Sequence, residues 1–227
     1  MYIGHIATAL AAKRVDRGPS LGIFTVAACL PDILFSALLF SDLEEVVISP
    51  GNTAMVPLAF PHYPYSHSLV GTLVAGGILG GAYWLRRREW RAAVMLIGLS
   101  FGHWLLDVVS HTPDMPVGPG GPMLGFGLWY SVAATFIVEG GLFLLGAWLY
   151  WRSTASNDRV GKWGFVALIG LLVATYIPSP FGEPPPSPMA VGIVNSVGLG
   201  LIVLLTFWVD SHRSSHPAES AGTPNAL

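Results

Sequence analysis

RAAVMLIGLSFGHWLLDVVSH, residues 91–111, is long and apolar enough to cross a bilayer, yet it holds His103, Asp107 and His111 at four-residue spacing. A hydrocarbon core of about 30 Å needs about 20 helical residues. A spacing of four stacks side chains on one helix face. The stretch therefore reads as a spanning helix that carries one stripe of titratable groups.

The same length test, applied outward, finds five more spans: 20–40, 67–85, 127–150, 162–180 and 189–209. A shorter helix over about 2–13 precedes them and would cross about half the core. Gly18-Pro19-Ser20 is a turn that folds it back, and Pro31 can kink the first full span. The expected fold class is all-α: a polytopic membrane helical bundle with six spanning helices and a short N-terminal half-helix. Residues 1–210 form a single transmembrane domain in this reading, and the small, polar stretch 211–227 forms a disordered cytoplasmic tail.

Composition agrees. Of 227 residues, 52% are apolar and 11% charged, against a usual charged share of about 25%. A net charge of −2 gives no footprint for nucleic acid. The single cysteine, Cys29, allows no internal disulfide. No cleavable signal peptide is expected, because the basic residues of MYIGHIATALAAKR follow its apolar stretch. All eleven Lys and Arg fall before the first span, between alternate spans or after the last. The loops 41–66, 112–126 and 181–188 have none. The positive-inside rule makes the basic side cytoplasmic. The opposite loops, rich in Pro and Gly, should be ordered caps.

Counted inward from the basic boundaries, Asp32, His103 and Glu139 each lie about 18 Å deep, just past the bilayer middle. Asp107 is one turn further, and His67 and His111 lie near the outer mouth. His5 rises to about 12 Å on the half-helix. A mid-membrane Asp costs about 2.5–3.5 kcal/mol, and no Lys or Arg lies inside the basic ends of the spans to neutralise one. Protonation or a bound cation is the remedy. Neutral imidazoles beside carboxylates favour the cation, since both are good Zn²⁺ ligands.

Each residue has a plainer reading. His103 and Asp107 could be a helix–helix hydrogen bond, Asp32 a polar kink and His67 an interfacial histidine above a helix that Ser66 caps. Glu139 could tie helices together, ligate, or act as general base. Trp104, Trp129 and Trp148 read as packing or interface anchors.

MYIGHIATALAAKR, CLPDI, YPYSHSL and HWLLDVVSH, followed by GLWYSVAATFIVEGG, resemble the YdjM-like (DUF457) family of predicted bacterial membrane-bound metal-dependent hydrolases, some of them LexA-regulated. The resemblance covers most of residues 1–152. It implies His5, Asp32, His67, His103, Asp107 and His111 as metal ligands. The same order is similar, more distantly, to the zinc-dependent phospholipase C group. That group uses an N-terminal Trp and its amine, where this chain begins Met1-Tyr2, and a His–acid pair where this chain has Thr135 and Glu139. One or two ions are expected in preference to three.

The expectation is an inner-membrane hydrolase with Zn²⁺ or another divalent metal at an outward-facing site. Asp32 or Glu139 would be the base, and the substrate a phosphoester or ester of a membrane lipid. Two alternatives stay open. One is a transporter or proton/metal conduit. The other is a non-catalytic protein whose metal holds helices together.

Overall fold

The computed structural model describes residues 1–215. Its helices are α1 (Tyr2–Val15), α2 (Leu21–Ala28), α3 (Leu30–Phe40), α4 (Leu69–Arg87), α5 (Trp90–Ser110), α6 (Val132–Ser153), α7 (Arg159–Tyr176) and α8 (Pro188–Ser211). Five of them are long and apolar enough to cross a membrane, and the α2–α3 pair, bent by 56°, supplies a sixth span in two pieces. The chain is a multi-pass, all-α membrane bundle with the short α1 tucked into it.

Side chains set the helix starts. Ser20, Ser68, Ser131, Asp158 and Ser187 each accept the backbone N–H three residues on, satisfying a donor that lipid would leave bare. The cap of α4 is thus Ser68, two residues later than the Ser66 expected from the sequence.

α5 is the centre. Half of its apolar window is buried, against 17–28% in the other long helices. α4 lies along α5, α2 packs on α5 and α8, and α1 runs along α6. Small residues permit the close crossings. A Cβ on Gly146 of α6 would stand 2.5 Å from the Ala7 carbonyl oxygen of α1, and one on Gly80 of α4 would stand 2.6 Å from that of Ala93. The outward faces remain apolar: Ile78, Ile137, Leu144, Val194, Val197 and Leu204 are exposed, as lipid-facing positions should be.

One end gathers the basic turns. Lys13 pairs with Asp210 at 3.1 Å, and a Cβ on Gly18 would meet Glu89. Here the tail departs from expectation. Ser211 belongs to α8, and Arg213–Ser215 forms β6, antiparallel to β5 (Thr154–Ser156). The reason is Arg213, whose guanidinium donates to the Thr154 hydroxyl and to the Thr154 and Gly161 carbonyls over the rings of Tyr150, Trp151 and Phe165. Residues 216–227 of the expected tail lie outside the described residues. The other end is capped by two small hairpins, β1 (Glu45–Ile48) with β2 (Leu58–His62), and β3 (Met115–Pro116) with β4 (Met123–Leu124).

Candidate metal centre

The break between α2 and α3 makes the site. Pro31 has no N–H to give the Ala27 carbonyl four residues back. That carbonyl instead accepts the Ser100 hydroxyl of α5 at 2.9 Å. The next one, Ala28, accepts Nδ1 of His103 at 2.7 Å. The break also leaves Asp32 in the first turn of α3, where the helix dipole favours a negative charge. Asn195 of α8 clasps this turn, donating to the Asp32 carbonyl at 3.0 Å and to Ser36 Oγ at 2.8 Å.

Hydrogen-bond directions then fix the ring nitrogens. A carbonyl only accepts, so the Ala28 contact places a proton on His103 Nδ1, and in the neutral ring Nε2 is then a lone pair. For His67, the Ser66 hydroxyl donates to Glu44 Oε2 at 2.5 Å. The 2.7 Å contact between Ser66 Oγ and His67 Nδ1 must therefore be donated by the ring. In the neutral ring Nε2 of His67 is a lone pair as well.

Both lone pairs face carboxylates. His67 Nε2 lies 3.4 Å from Asp32 Oδ1 and 3.9 Å from Asp107 Oδ2. His103 Nε2 lies 3.9 Å from Asp32 Oδ1 and 3.0 Å from Asp107 Oδ2. Among the described residues no hydrogen bond of acceptable geometry is made by His103 Nε2, even at its 3.0 Å approach to Asp107. With both rings neutral, four acceptors from three segments of chain (α3, the turn before α4, and α5) face one another. Zn–N and Zn–O bonds of about 2.0–2.2 Å in a tetrahedron put ligand atoms about 3.3–3.6 Å apart. The four imidazole–carboxylate distances, 3.0–3.9 Å, fall around that edge.

His5 meets the other side of Asp107. Its Nε2 lies 3.0 Å from Asp107 Oδ1, and its ring stacks on His103 at 3.6 Å. The Met1 α-amino group of this chain donates to the same oxygen at 2.5 Å and sits 3.0 Å from His5 Nε2. Two trios meet the distance requirement for a cation, His5–His103–Asp107 and Asp32–His67–His103. One imidazole lone pair serves one ion, so His103 cannot ligate in both trios at once. Asp107, with one oxygen toward each, can bridge. The Asp32 side chain is 29% exposed while those of His67, His103 and Asp107 are 6% or less, so access is on the Asp32 side.

His111 is placed beside this set and outside both trios. α5 ends at Ser110, and His111 is its extended C-cap, so the helical stripe stops before reaching it. Its Nδ1 lies 3.1 Å from Asp114 Oδ1, and its ring lies against Trp129 at 4.2 Å. Tyr63 donates to the same Asp114 oxygen at 3.1 Å. Burial, and the Asp114 charge beside it, push the Tyr63 hydroxyl well above its ordinary range, which keeps it a donor. Glu139 is also outside the trios. Its Oε1 accepts a long 3.5 Å contact from Trp129 Nε1, and Oε2 has no partner among the described residues. Thr135, one turn before it, spends its hydroxyl on the Leu128 and Ser131 carbonyls. Trp104 is the packing residue expected, with its indole N–H on the Pro116 carbonyl at 3.0 Å.

Glu44, Ser66, Asn195 and the Ala28 carbonyl were invisible to spacing. The one signal for Ser66 was its place beside His67, and for Asn195 its being an amide within a span. No family model, curated protein or solved structure matches this chain.

Proposed function

We propose that this protein is a membrane-embedded, divalent-metal-dependent hydrolase, with Zn²⁺ the best-fitting ion and a lipid phosphoester or ester as substrate. The reading is carried by the trio Asp32, His67 and His103, whose ligand atoms all lie within 4.8 Å of one another, three protein ligands that would leave a fourth position for water. His5 and Asp107 would help hold a second ion only if the Met1 ammonium, which donates to Asp107 Oδ1 and sits beside His5 Nε2, gave way. The bound metal would supply a water acidified toward about pH 7 and polarise the scissile oxygen. The second carboxylate oxygen of Asp32, the most exposed side chain of the set, would accept the proton of that water. Access at mid-bilayer depth supports an amphiphilic substrate, and the motifs resembling YdjM-like hydrolases support the same reaction class. The basic end would face the cytoplasm of a bacterial inner membrane, which turns the site outward.

Metal content of the purified protein is the test, beside hydrolysis of short-chain phosphodiesters and of phospholipid vesicles. The expectation is at least one equivalent in the parent, none after His103→Ala or Asp107→Ala, and hydrolysis that follows the metal. A parent without stoichiometric metal overturns the reading. One observation favours a second: Asp107 Oδ2 lies 3.0 Å from His103 Nε2, and as a fourth protein ligand it would close the sphere as in structural zinc sites. A metal that raises thermal stability but supports no hydrolysis would select that non-catalytic role.

A further inference from the structure

We infer that Glu44, acting through Ser66, sets which nitrogen of His67 carries the proton, and so whether His67 can ligate. The inference rests on the metal reading for its purpose, and on hydrogen-bond geometry for its content. Glu44 lies in the turn before β1, outside the membrane helices, and is buried. Its Oε1 accepts the backbone N–H groups of Tyr65 and Ser66, both at 2.8 Å. Its Oε2 accepts the Ser66 hydroxyl at 2.5 Å. With every Glu44 contact an acceptance, the hydroxyl proton is committed to the carboxylate. Ser66 Oγ is then an acceptor for His67 Nδ1–H at 2.7 Å. The chain of bonds runs one way, and its far end is a lone pair on His67 Nε2, 3.4 Å from Asp32 Oδ1.

A carboxylate that orients a ligating imidazole is a familiar device of metal sites, and its loss lowers metal affinity about 10–100-fold. Here a hydroxyl is interposed. Glu44 also pins the turn that carries His67, so it is a positioning residue with two separable jobs. Glu44→Gln separates them. The amide oxygen still accepts the two backbone N–H groups, but the amide N–H₂ donates to Ser66 Oγ. The hydroxyl proton must then turn toward His67 Nδ1, and the ring proton moves to Nε2.

The experiment uses the full chain in lipid nanodiscs, with ¹⁵N-labelled histidine, stripped of metal by a chelator. The His67 resonances are assigned by their loss in His67→Asn. The expected parent spectrum has the His67 proton on Nδ1. Glu44→Gln is expected to move it to Nε2, Ser66→Ala to mix the two tautomers, and Ser66→Thr to restore the parent pattern. Titration with Zn²⁺ should then show binding weakened about 10–100-fold in Glu44→Gln and Ser66→Ala but not in Ser66→Thr. An unchanged Nδ1–H in Glu44→Gln overturns the inference, as does a fall in thermal stability with no movement of the proton. If Glu44→Gln does not fold, an unchanged tautomer in Ser66→Ala overturns it instead. A parent that binds no Zn²⁺ defeats the hydrolase reading, while the spectra still decide the relay.

Discussion

His103 carries the most at the scale of single residues. Its Nδ1 is spent on Ala28 and its Nε2 faces two carboxylates. His103→Ala should empty the site, measured as metal per mole of protein. His111→Ala should leave metal content at the parent level, because the Asp114 and Tyr63 contacts hold that ring apart from the trios. The sequence made His103 and Asp107 legible as a pair, since both lie inside α5 and four-residue spacing holds there. For His111 the same arithmetic runs one residue past the helix, since α5 ends at Ser110. Glu44 was illegible for a different reason. It reaches His67 through a hydroxyl across 22 positions of loop, and no periodicity links a turn to a ligand it orients.

At the scale of elements, the α2–α3 break was legible from Pro31, and its use was not. The carbonyls it frees are claimed by α5, 73 and 75 positions away. Pro31→Ala would return an N–H to the Ala27 carbonyl and straighten the span. The expected result is a folded protein with metal affinity lower by about 10–100-fold, the range for losing an orienting contact. The α1–α6 crossing makes a separate claim. Gly146→Leu should destabilise by at least about 1–3 kcal/mol, read as a lower melting temperature in detergent. Gly77→Leu, where a Cβ meets nothing within 4 Å, should be tolerated. The cap of α7 gives a pH dependence. The Gly161 N–H and then His212 hold the Asp158 carboxyl below its usual value. A depressed carboxylate contributes stability above its unfolded-state value, and the contribution fades as pH falls through the folded one. Protection of the first α7 amides from hydrogen exchange should therefore weaken below about pH 4 in the parent. In Asp158→Asn it should stay level across that window.

For the molecule as a whole, the basic turns share one end and the hairpins the other. A cysteine introduced at Gly51 or Gly120 in intact bacteria should react with an impermeant maleimide. One introduced at Asn157 should react only after lysis. The opposite pattern would reverse the orientation and turn the site inward. Span number and the clustering of charges were legible because lipid imposes length and sign on every crossing helix. The lateral meeting of α1, α3, α4 and α5 was not, since depth fixes one coordinate of three.

The dependence of the broken span on a distant helix bears on how the chain is made. When α2 and α3 leave the ribosome, their bare carbonyls have no protein donor, and hydrocarbon offers none. Ser100 and His103 follow 73 and 75 residues later, about 4–15 s at common rates of synthesis. Until then the first crossing cannot settle in lipid in its final form. It must wait, straight or still beside the insertion machinery, for its partner to emerge.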